Sequence, residues 1–147
     1  AKWRRPPANT APTDAKAAGL YMICTLSKHY AEKNGFDDAL MLDYKGHVAE
    51  STGSNIFFIK NKKLYTPIAD CFLNGITRKT VIKIAKKNKI KVIEKKILPK
   101  ELLIADEIFL TGTAVEITPV SQIDSKKFKV GFVTKKLINL FDNFVKK

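Results

Sequence analysis

Strand-type and helix-type stretches alternate along this chain, but hairpin turns break the alternation, and that mixture constrains the fold. A strand–helix–strand succession permits parallel pairing, whereas a strand running into a tight turn pairs antiparallel with the next strand. Ala39–Asp43, Val48–Glu50 and Ile56–Lys60 read as strands, with Tyr44-Lys45-Gly46-His47 as a hairpin turn between the first two. Leu64-Tyr65-Thr66 pairs back across Asn61-Lys62, Ile90–Ile97 and Glu107–Thr111 are further strands, and Val115–Ile123 is a strand broken at Pro119. Among the helices, Thr13 or Asp14 caps one that runs to about Asn34 and stops at Asn34-Gly35, with Leu20, Ile23, Cys24, Leu26 and Tyr30 as its apolar face. Thr77 opens a second to about Asn88, with Val81, Ile82, Ile84 and Ala85 inward. Pro99–Ile104 forms a short helix and Phe132–Val145 an amphipathic one. The expected class is α/β: a mixed, barrel-like sheet with helices packed outside.

At 147 residues and 45% hydrophobic composition, the chain fits one globular domain with a real core, over residues 1–147. No apolar run reaches membrane-spanning length, and the N-terminus lacks the apolar segment of a signal peptide. Cys24 and Cys71 lie in apolar surroundings without metal-type spacing, so two buried thiols in a reducing cytoplasm are expected, with no metal. His29 and His47 have no partner spacing for metal or triad chemistry and read as structural. The formal charge of +13 raises nucleic acid as a partner. Yet 24 of the 27 basic residues are Lys and three are Arg, where base readout and bidentate phosphate contacts favour Arg. A lysine-rich solvated surface is the expectation, and nucleic-acid binding the alternative. The abrupt start, Lys2-Trp3-Arg4-Arg5 running into Pro6-Pro7, reads as a strand end leaving for a loop and suggests a separated domain, although Ala1 equally fits removal of an initiator Met.

Lys16 stands apart from the other lysines. It lies in Thr13-Asp14-Ala15-Lys16-Ala17-Ala18-Gly19, among small residues that leave room around its amine. A lysine in such surroundings forms a Schiff base when its pKa is lowered. Three short islands rich in hydroxyl and amide groups accompany it: Ser51-Thr52-Gly53-Ser54-Asn55, Asn74-Gly75-Ile76-Thr77 and Thr111-Gly112-Thr113-Ala114. Such islands expose backbone N–H groups that suit phosphate. One distinctive lysine with several phosphate-type turns points to a phosphorylated aldehyde held covalently.

Four motifs carry a more specific resemblance. Pro12-Thr13-Asp14-Ala15-Lys16-Ala17-Ala18-Gly19-Leu20-Tyr21 resembles the lysine segment of the fold-type IV aminotransferases that use pyridoxal phosphate. Asp37–Asp43 with Gly46–Phe57, then Phe72–Arg78, then Leu110–Val120 come in that family's order. Within the family the sequence is most similar to the branched-chain amino-acid aminotransferases. D-amino-acid aminotransferase and aminodeoxychorismate lyase share the scaffold and stay open as alternatives. The resemblance implies the larger C-terminal domain of the D-amino-acid aminotransferase-like fold, with the smaller N-terminal domain absent.

The resemblance also implies roles. Lys16 would hold the cofactor aldehyde and shuttle the proton of the substrate α-carbon. Glu50 would pair with the pyridine nitrogen, and Tyr21, a little over one helical turn after Lys16, would hydrogen-bond the phenolic oxygen. Ile76 and Thr77 would present N–H groups to the phosphate, Gly75 would permit the close approach, and Thr113 would add its hydroxyl. Thr113 and Ala114 would face the substrate carboxylate. Asn55 reads as a buttress of the Glu50 loop, and Arg78 as a helix-surface or structural residue. The implied reaction is transamination between branched-chain amino acids and 2-oxoglutarate, in a cytoplasmic homodimer with no nucleic-acid or membrane partner. The chain alone is expected to turn over poorly, exposing an apolar face for which Trp3 is a candidate.

Overall fold

A computed structural model describes residues 1–146. The first strand, β1 (Arg4–Arg5), pairs parallel with β2 (Leu40–Asp43), which pairs antiparallel with β3 (Val48–Ser51). A second sheet holds β4 (Asn55–Lys60), β5 (Lys63–Pro67), β6 (Val92–Lys95), β7 (Glu107–Gly112) and β8 (Glu116–Pro119), in the order β6-β5-β4-β7-β8. The β5–β6 pair is parallel and the rest of that sheet antiparallel. A small hairpin joins β9 (Gln122–Ile123) to β10 (Lys126–Lys127). The α/β class and mixed pairing are those expected, but the described residues form no closed barrel: the strands divide into separate sheets.

Turn chemistry sets the pairings. Asn61 and Lys62 both take positive φ, 50° and 60°, the geometry that lets a two-residue loop match the twist of β4 and β5. In the turn Tyr44–His47 it is Gly46 that supplies the positive φ, at 87°.

The central strand β4 is buried on both faces, and its period-two alternation divides the core. Phe57 and Ile59 face one cluster with Leu64, Phe109, Val81 and Ala85 of α2 (Ile76–Lys87), and Leu137 and Phe141 of α4 (Phe132–Val145). Ile56 and Phe58 face the other, with Val48, Ile97, Ile108 and Leu102 of α3 (Pro99–Leu103). Phe57 stacks on its cross-strand partner Phe109, with ring centroids 5.1 Å apart.

The first helix departs from expectation. It spans Met22–Lys33 (α1), behind a 3-10 turn at Ala18–Leu20, and does not start at Thr13 or Asp14. Thr13 is buried and donates its hydroxyl to the Asp70 carbonyl, 3.2 Å away, instead of accepting from a helix N–H. Lys16 therefore sits in a loop, and the helical relation to Tyr21 does not hold. The Asn34-Gly35 stop stands, with Gly35 at φ 80°. The packed stripe is Cys24, Ser27 and Ala31, whose small side chains let the helix lie close. The expected face residues Leu26 and Tyr30 point outward, as do Met22 and the isolated Trp3. His29 is exposed, while His47 has the structural place expected, its Nδ1 3.2 Å from Asp43 Oδ2.

Glu107 ties the sheet to α4. Its carboxylate accepts from Val133 N–H at 3.2 Å and Thr134 N–H at 2.7 Å, capping the helix from the first residue of β7. The carboxylate passes so close to Gly131 that a Cβ there would lie 2.2 Å from Glu107 Cδ. Gly131→Ala is expected to displace the cap and lower stability by about 1–3 kcal/mol, measured by chemical denaturation.

Candidate functional site

An open cleft of about 440 Å³ lies where the Lys16 loop, β3, the start of α2 and the end of β7 meet. Its lining includes Lys16, Tyr21, Glu50, Gly75, Ile76, Thr77 and Thr113, brought together from four separate stretches of chain. Ala114 is outside the lining and is exposed. Asp14, Asn55, Thr111 and Lys79 also line it, residues for which the sequence suggests other duties or none. Lys79 sits one turn along α2 from Gly75 and Ile76, on the face they share, so an i, i+4 reading from the Gly75 turn would have found it.

The acidic pole is Glu50, only 6% exposed. Arg5, 2% exposed, approaches from β1 across the three-stranded sheet and places Nε 3.3 Å from Glu50 Oε1. The same guanidinium donates to the Leu20 carbonyl at 2.8 Å and the Cys71 carbonyl at 3.3 Å. In the sequence Arg5 reads only as the end of a strand. The second of two adjacent arginines before Pro6 gives no sign there of a buried partner 45 residues away. Desolvation by burial pushes the Glu50 carboxyl up to about 8, with Arg5 acting in the opposite direction and Asp38 adding to the rise. Burial also raises the Tyr21 hydroxyl, with the Glu50 charge adding to it. Cys24 and Cys71 are free, buried thiols, raised by the same desolvation, Cys71 to about 12.

The opposite pole is the start of α2. Gly75 is the N-cap and has no side chain to offer, so no side-chain cap bond forms. The first intrahelical bond runs from Lys79 N–H to the Gly75 carbonyl, 3.1 Å. The N–H groups of Ile76 and Thr77 precede it and are left free for an anion, with the helix dipole behind them. Arg78 is not on the helix surface: it is 1% exposed, bonded to Asn74 Oδ1 at 2.8 Å and the Pro67 carbonyl at 2.8 Å, and paired with Glu94 at 2.7 Å. The alternative structural reading of Arg78 holds, and its charge lies just under the helix start.

Asn55 stands between the poles, 5% exposed. Its amide donates to Glu50 Oε2 at 3.4 Å and the Leu73 carbonyl at 3.0 Å, and its Oδ1 accepts from Gly75 N–H at 3.2 Å. The buttress expected on the Glu50 side is present and extends to the α2 turn. Such a cleft offers one amine, one buried carboxylate and a set of open N–H groups. That donor set suits a ligand with an electrophilic carbon, a basic ring atom and an anionic group.

The amino-transferase class IV family model matches residues 1–123. The chain is 44% identical over 139 residues to a probable branched-chain-amino-acid aminotransferase of Rickettsia typhi, covering 95% of this chain and 48% of that protein. It is 43% identical over 140 residues to the branched-chain-amino-acid aminotransferase of Pseudomonas aeruginosa, covering 93% and 46% respectively. The structure superposes on the branched-chain aminotransferase from the thermophilic archaeon Thermoproteus uzoniensis with norvaline, with a TM-score of 0.95 at 40% identity, covering 99% of this chain and 49% of that one. It superposes equally well, at a TM-score of 0.95 and 35% identity, on an aminotransferase from Brucella abortus bound to the cofactor PLP, covering 100% and 53%. The chain thus spans about half the length of the curated relatives it matches.

The raised Glu50 pKa fixes the sign of a pH effect. Between about 4.5 and 8 the folded carboxyl holds a proton that the unfolded one has released. The Glu50 contribution is therefore fully present below about 4.5 and is lost as pH rises through about 8. Without ligand, stability is expected to fall over that window from this group, and Glu50→Gln should flatten the fall. Denaturant midpoints across the pH range, wild type against variant, measure it; an unchanged slope would show that Glu50 is ionised throughout.

Proposed function

This chain belongs to the class IV aminotransferases, and on that premise we propose that it forms the cofactor-binding part, over residues 1–147, of a pyridoxal phosphate enzyme that moves amino groups between branched-chain amino acids and 2-oxoglutarate. The observation that carries the reading is the convergence of Lys16, Tyr21, Glu50, Gly75, Ile76, Thr77 and Thr113 on one cleft. The residues fit the group by their chemistry: an amine for its aldehyde, a buried carboxylate for its ring nitrogen, and an uncapped helix start for its phosphate. When bound, pyridoxal phosphate supplies the carbon that receives the amino group and a ring that takes up electron density as the substrate α-proton leaves.

In this reading Lys16 anchors the cofactor, and its released amine moves the proton at the substrate α-carbon. Glu50, held by Arg5 and Asn55, keeps a proton on the ring nitrogen; a cationic ring N–H beside it favours the ionised carboxylate that burial opposes. Tyr21 donates to the phenolic oxygen. Ile76 and Thr77 N–H groups, with the Thr113 hydroxyl, hold the phosphate, and Gly75 keeps that approach clear. Thr113, with Ala114 next to it at the rim, presents N–H groups to the substrate carboxylate. The branched-chain substrates are those named for the relatives in Rickettsia typhi and Pseudomonas aeruginosa.

The same proposal includes a cytoplasmic homodimer without nucleic-acid or membrane partners. The two free, buried thiols support the compartment. The outward Met22, Leu26 and Tyr30 stripe supports a covered face. Two of the three arginines, Arg5 and Arg78, are buried in ion pairs, which leaves little of the Arg-based readout that nucleic acid would require.

In the full-length protein, Lys16→Ala is expected to abolish borohydride-trapped cofactor, and peptide mapping of the wild type should place the adduct on Lys16; an adduct elsewhere would sink the site assignment. Glu50→Gln should lower leucine–2-oxoglutarate turnover by about two orders of magnitude or more with the fold intact, because an amide carries no charge to hold the ring proton. The isolated chain is expected to show less than about a hundredth of full-length activity, since reacting groups without enclosing walls lose orientation; robust turnover by the chain alone would refute that.

A further inference from the structure

We propose that Asn55 is a positioning residue that fixes the spacing between the Glu50 carboxylate and the opening turn of α2, so that a ligand spanning both is held as one unit. The inference rests on the reading of the cleft as a pyridoxal phosphate site. Asn55 is the first residue of β4, and its backbone is set by the β4–β7 ladder opposite Thr111. Its side chain is therefore carried on a strand whose first five residues are buried, not on a loop. From there one planar amide reaches both poles: Nδ2 to Glu50 Oε2 at 3.4 Å and to the Leu73 carbonyl at 3.0 Å, Oδ1 from Gly75 N–H at 3.2 Å.

The chemistry requires an amide. Donation to a carboxylate and a carbonyl together with acceptance from an N–H needs both an NH₂ and a C=O on one rigid plane. Aspartate would accept from Gly75 but repel Glu50 and lose the bond to Leu73. The fit is close on the second side as well: a Cβ on Gly75 would lie 2.6 Å from Asn55 Oδ1. With Arg5 on Oε1 and Asn55 on Oε2, the Glu50 carboxylate is gripped from two directions, and the second grip is the one shared with the α2 turn.

The test uses the full-length protein and three probes that form no bond to Lys16: pyridoxine 5'-phosphate, pyridoxine and inorganic phosphate, with affinities from equilibrium dialysis. Asn55→Ala is expected to weaken pyridoxine 5'-phosphate by about tenfold or more beyond the product of its separate effects on the other two, the size of coupling found between groups in one hydrogen-bond network. In the near-isosteric Asn55→Asp, the ¹⁵N shift of the bound ring nitrogen should move while the ³¹P shift of the phosphate stays close to wild type. A merely structural role would move both or neither. Gly75→Ala, which pushes the amide from the other side, should reproduce the non-additive loss. Losses that simply multiply, or ring and phosphate signals that move together, would overturn the inference while leaving the site reading intact. Failure of the wild-type protein to bind pyridoxine 5'-phosphate more tightly than pyridoxine would overturn the site reading, and this inference with it.

Discussion

The Arg5–Glu50 pair is the contact around which the rest of the cleft is arranged. A guanidinium and a carboxyl group both below a tenth exposed carry a large desolvation cost, which polar partners must offset. Arg5 meets that condition by reaching four segments at once: β3 through Glu50, the 3-10 turn through Leu20, α1 through Cys24, and the loop before α2 through Cys71. Three of those segments lie outside the sheets and have no ladder to hold them. The buried charge therefore does what a hydrophobic residue of similar volume could not: it fixes direction as well as proximity. Tyr21 comes directly after Leu20, and its place on the cleft wall depends on that hold.

The framework behind this contact is apolar and less particular. β4 buries side chains on both faces, so the α2–α4 layer and the smaller sheet are registered against the same strand. Cleft residues arise where that strand and its neighbours end: Asn55 opens β4, Thr111 and Gly112 close β7, and Ile76 opens α2. Chemistry at the ends of rigid elements combines free backbone groups with anchored positions, which mid-strand residues cannot offer.

Much of this is legible in the sequence because it is local. The Asn61-Lys62 hairpin, the Gly46 turn, the Asn34-Gly35 stop and the inward face of α2 all come from turn chemistry or period. The four motifs supply the candidate site residues, and all but Ala114 line one cleft. The features that are not legible depend on distant partners. Thr13 resembles a cap because nothing nearby reveals the Asp70 carbonyl that takes its hydroxyl. Leu26 and Tyr30 resemble core because hydrophobicity marks a face without saying whether anything covers it; the side that packs is chosen by the small residues Cys24, Ser27 and Ala31. Arg5 and Arg78 are undervalued for the same reason, since a buried cation is identified by its acceptors and not by its neighbours in sequence.

The start of α2 has a bearing on stability as well as on binding. Most helices close their first turn with a serine, threonine or aspartate, which contributes about 1 kcal/mol. Here a glycine holds that position and no side chain answers the first N–H groups. An anion seated there finishes the helix, so its binding free energy is also folding free energy for α2 and everything packed on it, including Val81, Ala85 and α4. With glycine at the cap, the stability of the helix layer would follow the concentration of any anion that seats at its start.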